Sequence, residues 1–228
     1  MTDAHFHRNG FETFLARGGR EVAFHGLHPW QAASCADAAA ACAGVAARLA
    51  ADPAAGVGEI GLDRLRAKTV SGAQRALFAA QLALAADLGR PVVLHGAKCW
   101  GEVVAACRPF AGRIPAFLFH GFSRSAGLLE AIFALNGFVS VGPALLNDHA
   151  VNYRALVRAL PAGRLLVETD ADCVRAADGT SRVAETGERQ ADLLARLLRA
   201  LAAVRACPAD ALAATLDANA ARFAEARG

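Results

Sequence analysis

The chain has 228 residues, 20% of them charged and 55% apolar or aromatic, with a formal net charge of +3. That length supports one substantial core rather than two, and the composition excludes a disordered chain. A charge of +3 is too weak to wrap a long nucleic acid electrostatically, although it permits a local basic rim around a site.

Along the chain, short apolar strands are expected at 2–7, 21–27, 57–62, 91–95, 116–120, 138–142 and 164–169. Helical periodicity fills intervals such as 72–88 and 128–135. Strands alternating with helices imply parallel β-α units. No run rich in Gly, Ser or Pro divides residues 1–228, so a single domain is expected. Polar residues fall at the C-terminal ends of many strands. That placement favours a closed TIM-like barrel, in which those ends meet at one mouth, over an open sheet with one switch point. The Gly18-Gly19 and Gly56-x-Gly58 pairs lack a dinucleotide-binding pattern.

The chemistry begins at Asp3-Ala4-His5-Phe6-His7. Residues two apart on a strand share a face, so His5 and His7 could reach one metal ion. A chance histidine pair near the N-terminus is the alternative. In Gly58-Glu59-Ile60-Gly61-Leu62-Asp63 a carboxylate lies on an apolar strand, where burial without a partner would be costly. Glu59 therefore needs a metal or an arginine such as Arg64 or Arg66. Asp63 reads as a supporting or loop-capping residue.

Two consecutive units then end alike, with 91–94 running into His95 and 116–119 into His120. Leu165-Leu166-Val167-Glu168-Thr169 leads to Asp170, placed as a metal ligand, a general base or a helix N-cap. Together these six residues supply nitrogen and oxygen donors from five strand ends, a set compatible with zinc, manganese or magnesium. Six donors exceed one tetrahedral shell, which favours two ions sharing a carboxylate.

The ordered set resembles the TatD family of metal-dependent deoxyribonucleases. It comprises Asp3-x-His5-x-His7, Gly26-Leu27-His28-Pro29, Gly58-Glu59-Ile60-Gly61-Leu62-Asp63, Pro91-Val92-Val93-Leu94-His95, His120-Gly121-Phe122-Ser123 and Glu168-Thr169-Asp170-Ala171. Gln74, Gln81, Thr215, Asn219, Arg222 and Phe223 extend the likeness over nearly the whole chain.

The resemblance implies one divalent ion held by His5, His7, Glu59 and Asp170. It implies a second held by Glu59, His95 and His120, with Asp170 also orienting the attacking water as its base. His28 and Arg124 are the candidate phosphate contacts, and DNA, single-stranded or at strand ends, is the implied partner. A two-metal amidohydrolase or esterase acting on a small metabolite is the enzymatic alternative. A barrel that binds without turnover is a more distant one.

Three departures stand out. Only residues 8–25 separate His7 from Gly26, room for one helix and one strand, so one β-α unit near the N-terminus is expected to be missing. About seven regular strands would remain, an irregular segment or partner surface would cover the gap, and the mouth would be wider. Asp172 stands where the family has proline. Arg124 replaces a glycine.

Trp30 and Trp100 follow strand ends, where either stacking on a base or rim packing is possible. The six cysteines form no C-x-x-C pair and read as reduced thiols. Arginines such as Arg196, Arg199 and Arg205 interrupt every long apolar stretch, which argues against a membrane span. The first seven residues have no apolar leader core, so a cytoplasmic location is expected.

Overall fold

Two dipeptides with left-handed backbone shape the first 25 residues. Asn9 and Gly10 have φ of 52° and 83°, and Gly18 and Gly19 have φ of 57° and 78°. Such pairs match the twist of antiparallel strands and close hairpins between them. Strands β1 (Asp3–Arg8), β2 (Glu12–Arg17) and β3 (Arg20–Phe24) accordingly form an antiparallel meander.

The computed structural model describes residues 1–35, 37–66, 68–123 and 126–228. After the meander come β4 (Val57–Asp63), β5 (Val92–Ala97), β6 (Phe117–Phe119), β7 (Gly137–Val141) and β8 (Leu165–Val167), hydrogen-bonded in that order and all parallel. Helices α1 (Ala38–Ala51), α2 (Gly72–Asp87), α3 (Trp100–Cys107), α4 (Leu129–Ala134) and α5 (Val151–Ala159) lie between strands. A short hairpin, β9 (Cys173–Arg175) and β10 (Ser181–Val183), and helices α6 (Gln190–Arg205) and α7 (Ala209–Ala224) complete the chain.

Backbone hydrogen bonds join these pieces into a TIM-like barrel. The Gly56 amide donates to the Ala23 carbonyl and the His25 amide to the Gly56 carbonyl, each at 3.0 Å, linking β3 to β4. The Asp170 amide donates to the His5 carbonyl at 3.0 Å and the His7 amide to the Ala171 carbonyl at 2.9 Å, linking the end of β8 to β1. Seven of these eight strands run the same way, and all seven were expected from the sequence. The helix expected between His7 and Gly26 is replaced by β2, which runs against the others and fills the gap. The β-α unit is absent as expected, but its place in the wall is taken by the chain's own hairpin.

Period-two alternation separates the inside of the barrel from its outside. Val92, Leu94, Phe117, Phe119, Val139, Val141, Leu165 and Val167 pack outward with helical residues such as Phe78, Leu82, Val103 and Leu197. The alternate residues Val93, Ala116, Leu118, Phe138 and Leu166 form an inner cluster with Ala4, Leu15 and Phe24. Continuing that inner parity upward reaches His95, His120, Ser140 and Glu168.

Helix α7 closes the opposite end. Phe223 lies 5.7 Å from Phe24 and 5.9 Å from Phe138 between ring centroids. Asn219 Nδ2 donates to the carbonyls of Ala162 and Leu165, both at 2.7 Å. Among the described residues no helix is long and apolar enough to cross a membrane, and all six cysteines are free.

Phe223 is fully buried at this plug. Phe223→Ala is therefore expected to lower unfolding free energy by about 3–5 kcal/mol. Urea unfolding at matched metal content checks this, and a loss below about 1 kcal/mol would show that the barrel floor does not depend on the plug.

Candidate active site

The strand ends opposite α7 bring together all six donors expected from the sequence. On β1 the pairing register shifts between Asp3 and Phe6. Asp3 consequently faces β8 and α6, while His5 and His7 both reach the mouth. The Asp3 carboxylate accepts from the Thr169 amide at 2.9 Å, Thr169 Oγ1 at 2.7 Å and Gln190 Nε2 at 2.7 Å. Its full burial pushes its pKa up to about 7, despite the Thr169 and Gln190 hydrogen bonds. This clasp fixes His5 against Asp170.

On β4, Gly61 has φ of 151°, and a Cβ there would lie 2.0 Å from the His95 carbonyl oxygen. Only glycine lets β4 approach β5 this closely. The approach brings Glu59 against His95.

Glu59, 4% exposed, is the centre. Its Oε2 lies 3.6 Å from both His5 Nε2 and His7 Nε2. Asp170 Oδ1 lies 3.5 Å from the same two nitrogens, which are 3.1 Å from each other. Donors of a tetrahedral zinc-type shell, bonded at about 2.0–2.1 Å, stand roughly 3.3–3.4 Å apart. These five separations are close to that spacing, and His5, His7 and Glu59 together could hold a cation.

The other oxygen, Glu59 Oε1, lies 2.7 Å from His95 Nδ1 and 2.7 Å from His120 Nε2, and these nitrogens are 3.5 Å apart. That is a second donor group sharing the same carboxylate. His5, His7 and Glu59 form one potential metal-holding group, His5, His120 and Asp170 another, and His28, Glu59 and His95 a third.

The electrostatics call for positive charge. Burial opposes ionisation of Glu59, but the His120 charge and hydrogen bonds from His120, His5 and His95 hold its pKa well below the usual range. Asp170 is likewise held low against burial, by His7, His120 and His5. Burial depresses His120 and His95, yet the carboxylates outweigh it. Glu59 and Glu168 raise His120 well above an ordinary histidine, and Asp63 and Glu59 raise His95. The Glu59 and Asp170 carboxylates thus retain protons on their histidines, or accept metal cations in their place.

Supporting residues fix the donors. Asp63 Oδ2 lies 3.1 Å from His95 Nε2 and accepts from Trp30 Nε1 at 2.7 Å, while its Oδ1 accepts from the Leu65 and Arg66 amides. This is the supporting role expected of Asp63. Gln74 holds the Asp63 amide at 3.0 Å. Gln81, fully buried, clamps both backbone groups of Leu27 and so places His28.

His28 Nδ1 accepts from the Trp30 amide at 3.2 Å, and His28 Nε2 faces Glu59 Oε1 at 3.8 Å. Burial lowers its pKa to about 4, so the ring is neutral with its proton on Nε2. Asp170 is not an N-cap. Its φ is 50°, a left-handed conformation that aspartate tolerates, and its side chain is 43% exposed to the mouth.

Sequence reasoning passed over Glu168 and Ser140. Glu168 is fully buried behind His120, accepting from Ser140 Oγ and from the Gly121 amide at 2.7 Å. The carboxylate in Glu168-Thr169-Asp170 was visible, but its partners lie on β7 and after β6. Trp100 packs in the core against Phe119 and Phe122 and offers no stacking surface. Arg124 lies outside the described residues.

The family profile described as TatD related DNase matches residues 3–225. The chain belongs to this family. A 3'-5' ssDNA/RNA exonuclease TatD from Edwardsiella piscicida is 34% identical over 148 residues, which cover 64% of this chain and 54% of that protein. One from Musicola paradisiaca is 32% identical over 204 residues, covering 87% and 74%. The match thus spans about half to three quarters of these relatives' lengths. Among solved structures, a TatD homolog from Escherichia coli K12 superposes with a TM-score of 0.72 at 27% identity, over 89% of this chain and 76% of that one.

In this TatD-family chain the segment after Asp170 forms the β9–β10 hairpin, and its cations are already paired. Arg175 meets Glu21, Arg182 meets Asp178, and Arg189 meets Asp192. Lys98 lines a cleft of about 370 Å³ beside His95, His120 and Asp170.

Because His120 and His95 have raised pKa values, loading the cluster must displace their protons near neutrality. Metal affinity is expected to rise with pH across the neutral range, with roughly one to two protons released per chain filled. Calorimetric titration in buffers of different ionisation heats measures this. An affinity flat in pH with no proton release would dissociate these histidines from metal binding.

Proposed function

We propose that this protein is a metal-dependent nuclease that removes nucleotides from the end of a single strand of DNA. The observation that carries the reading is the sharing of Glu59, with one oxygen toward His5 and His7 and the other toward His95 and His120. Membership of a family whose relatives are named exonucleases supports it.

Two divalent ions, zinc, manganese or magnesium, would be held by His5, His7, Glu59 and Asp170 and by Glu59, His95 and His120. When bound, they would supply Lewis acidity toward water and charge opposite the developing phosphorane. Asp170, ionised and open to the mouth, accepts the proton of the attacking water. His28 donates its Nε2 proton toward a non-bridging phosphate oxygen, because its Nδ1 is engaged by the Trp30 amide. Asp63 and Glu168 keep His95 and His120 in position. Arg124 is retained as a second phosphate contact.

A second cleft, of about 310 Å³, adjoins the first and is lined by His7, Gly10, Phe11, His28, Trp30, Glu59 and Asp172 among others. Its wall includes the β1–β2 turn, so this hairpin bounds one side of the mouth. A groove bounded in this way suits a strand terminus, and the low net charge gives little grip on a long duplex.

The test is an end-labelled single-stranded oligonucleotide digested with each metal, beside a circular strand and a panel of small esters and amides. Metal-dependent release of mononucleotides, abolished by chelator, is expected. Glu59→Ala is expected to lose both metal and at least about 10³-fold in kcat/KM. Cleavage of esters or amides with untouched oligonucleotide would move the protein to metabolite hydrolysis, and equal cutting of the circle would overturn end-directed action.

A further inference from the structure

The hairpin that replaces a β-α unit sets an aromatic side chain at the mouth. Phe11, at the β1–β2 turn, is 46% exposed, and Trp30, after β3, is 45% exposed. Single exposed apolar residues are ordinary, but neighbouring aromatic rings beside a cleft form the kind of patch that marks a binding site. The two rings meet edge to face, with centroids 6.3 Å apart, and Phe11 also lies 5.7 Å from His28. Both residues line the cleft that holds Glu59 and Asp170.

Trp30 is not a loose surface residue. Its indole Nε1 donates to Asp63 at 2.7 Å, and the Arg66 guanidinium lies 4.4 Å from its ring centroid. Its remaining surface is thus held at a fixed angle before any ligand arrives, which reduces the ordering cost of binding. The same Asp63 oxygen contacts His95 Nε2, and His95 Nδ1 contacts Glu59. The indole is therefore tied to the cluster through two side chains, 6.4 Å from the His95 ring.

We infer that Trp30, with Phe11 beside it, is the platform on which the terminal nucleobase stacks while its phosphate sits at the Glu59 cluster. The inference rests on the nuclease reading above and adds the part of the substrate it left open. Every base has a π face, so a rigid indole grips a strand end with little sequence preference. A base must be unstacked to use it, which selects single strands over blunt duplex ends. The Arg66 guanidinium over the ring helps to hold the indole by a cation–π contact. A small ester or a sugar phosphate without a base gains nothing from this surface.

The experiment compares the metal-loaded wild type with Trp30→Ala, Trp30→Phe and Phe11→Ala. Substrates are a thymidine oligonucleotide and the same strand with an abasic 3' terminus, and binding to both is also measured in chelator by fluorescence anisotropy. Metal content and circular dichroism establish that each variant is folded and loaded.

Trp30→Ala is expected to raise KM and the anisotropy Kd for the normal strand by about 5- to 150-fold, the range for loss of one stacked base. Its kcat should fall much less, and discrimination against the abasic end should disappear. Trp30→Phe keeps a ring but not the Asp63 hydrogen bond, so it should restore most of the binding. Phe11→Ala should weaken binding less than Trp30→Ala.

Unchanged binding and KM in Trp30→Ala, with DNA still cut, would overturn the platform and leave the nuclease standing. Equal losses in Trp30→Phe and Trp30→Ala would also overturn it, assigning Trp30 to positioning Asp63. Strand binding that depends on Trp30 without cleavage would keep the platform and sink the nuclease. Wild type that neither binds nor cuts strands would overturn both.

Discussion

The site depends on one buried carboxylate, Glu59. A charged group removed from water needs compensation at both oxygens, and here each oxygen faces its own set of imidazoles. That demand explains why histidines converge from three strand ends. It also explains the raised pKa values of His95 and His120, which carry the positive charge that Glu59 and Asp170 require. Its two oxygens point to separate sets of histidines, which is the observation behind the proposed bridging role.

Holding such a cluster rigid falls to residues that never face the mouth. Asp3 ties β1 to the segment after β8, and Gln81 and Gln74 pin the loops bearing His28 and Asp63. Glu168 supports the ground behind His120 through Ser140 and Gly121. Asp3, Gln81 and Glu168 are buried and Gln74 is half-buried. Their hydrogen bonds offset part of the cost of removing them from water and hold the loops in place. The alternation of the strands keeps these groups above an apolar floor sealed by Phe223, and water therefore reaches the cluster from the mouth.

The N-terminal hairpin shows how a barrel tolerates loss of a β-α unit. A gap in the wall would expose unpaired backbone groups on two strand edges. Strand β2 pairs with both neighbours and removes those edges without a helix. Its turn then stands at the mouth, where a helical crossover would have led the chain down the outside of the barrel. The short N-terminal segment thus forms part of the mouth, with Phe11 set beside Trp30.

The sequence by itself determined which six side chains gather at the mouth, and most of the wall. His5, His7, Glu59, His95, His120 and Asp170 were legible because strands impose a period of two and end at one mouth, a local rule that needs no knowledge of partners. All seven co-directional strands were legible for the same reason. Asn9-Gly10 and Gly18-Gly19 are turn pairs that the expectation of a helix between His7 and Gly26 passed over, and the place of β2 is fixed by its pairing with β1 and β3. Only the tertiary structure decided that Asp63 serves both Trp30 and His95, that Glu168 belongs to Ser140 and Gly121, and that Trp100 is core while Trp30 is open. Those outcomes rest on contacts between residues far apart in the chain, and their geometry follows from how the closed ring sets each strand against its neighbours.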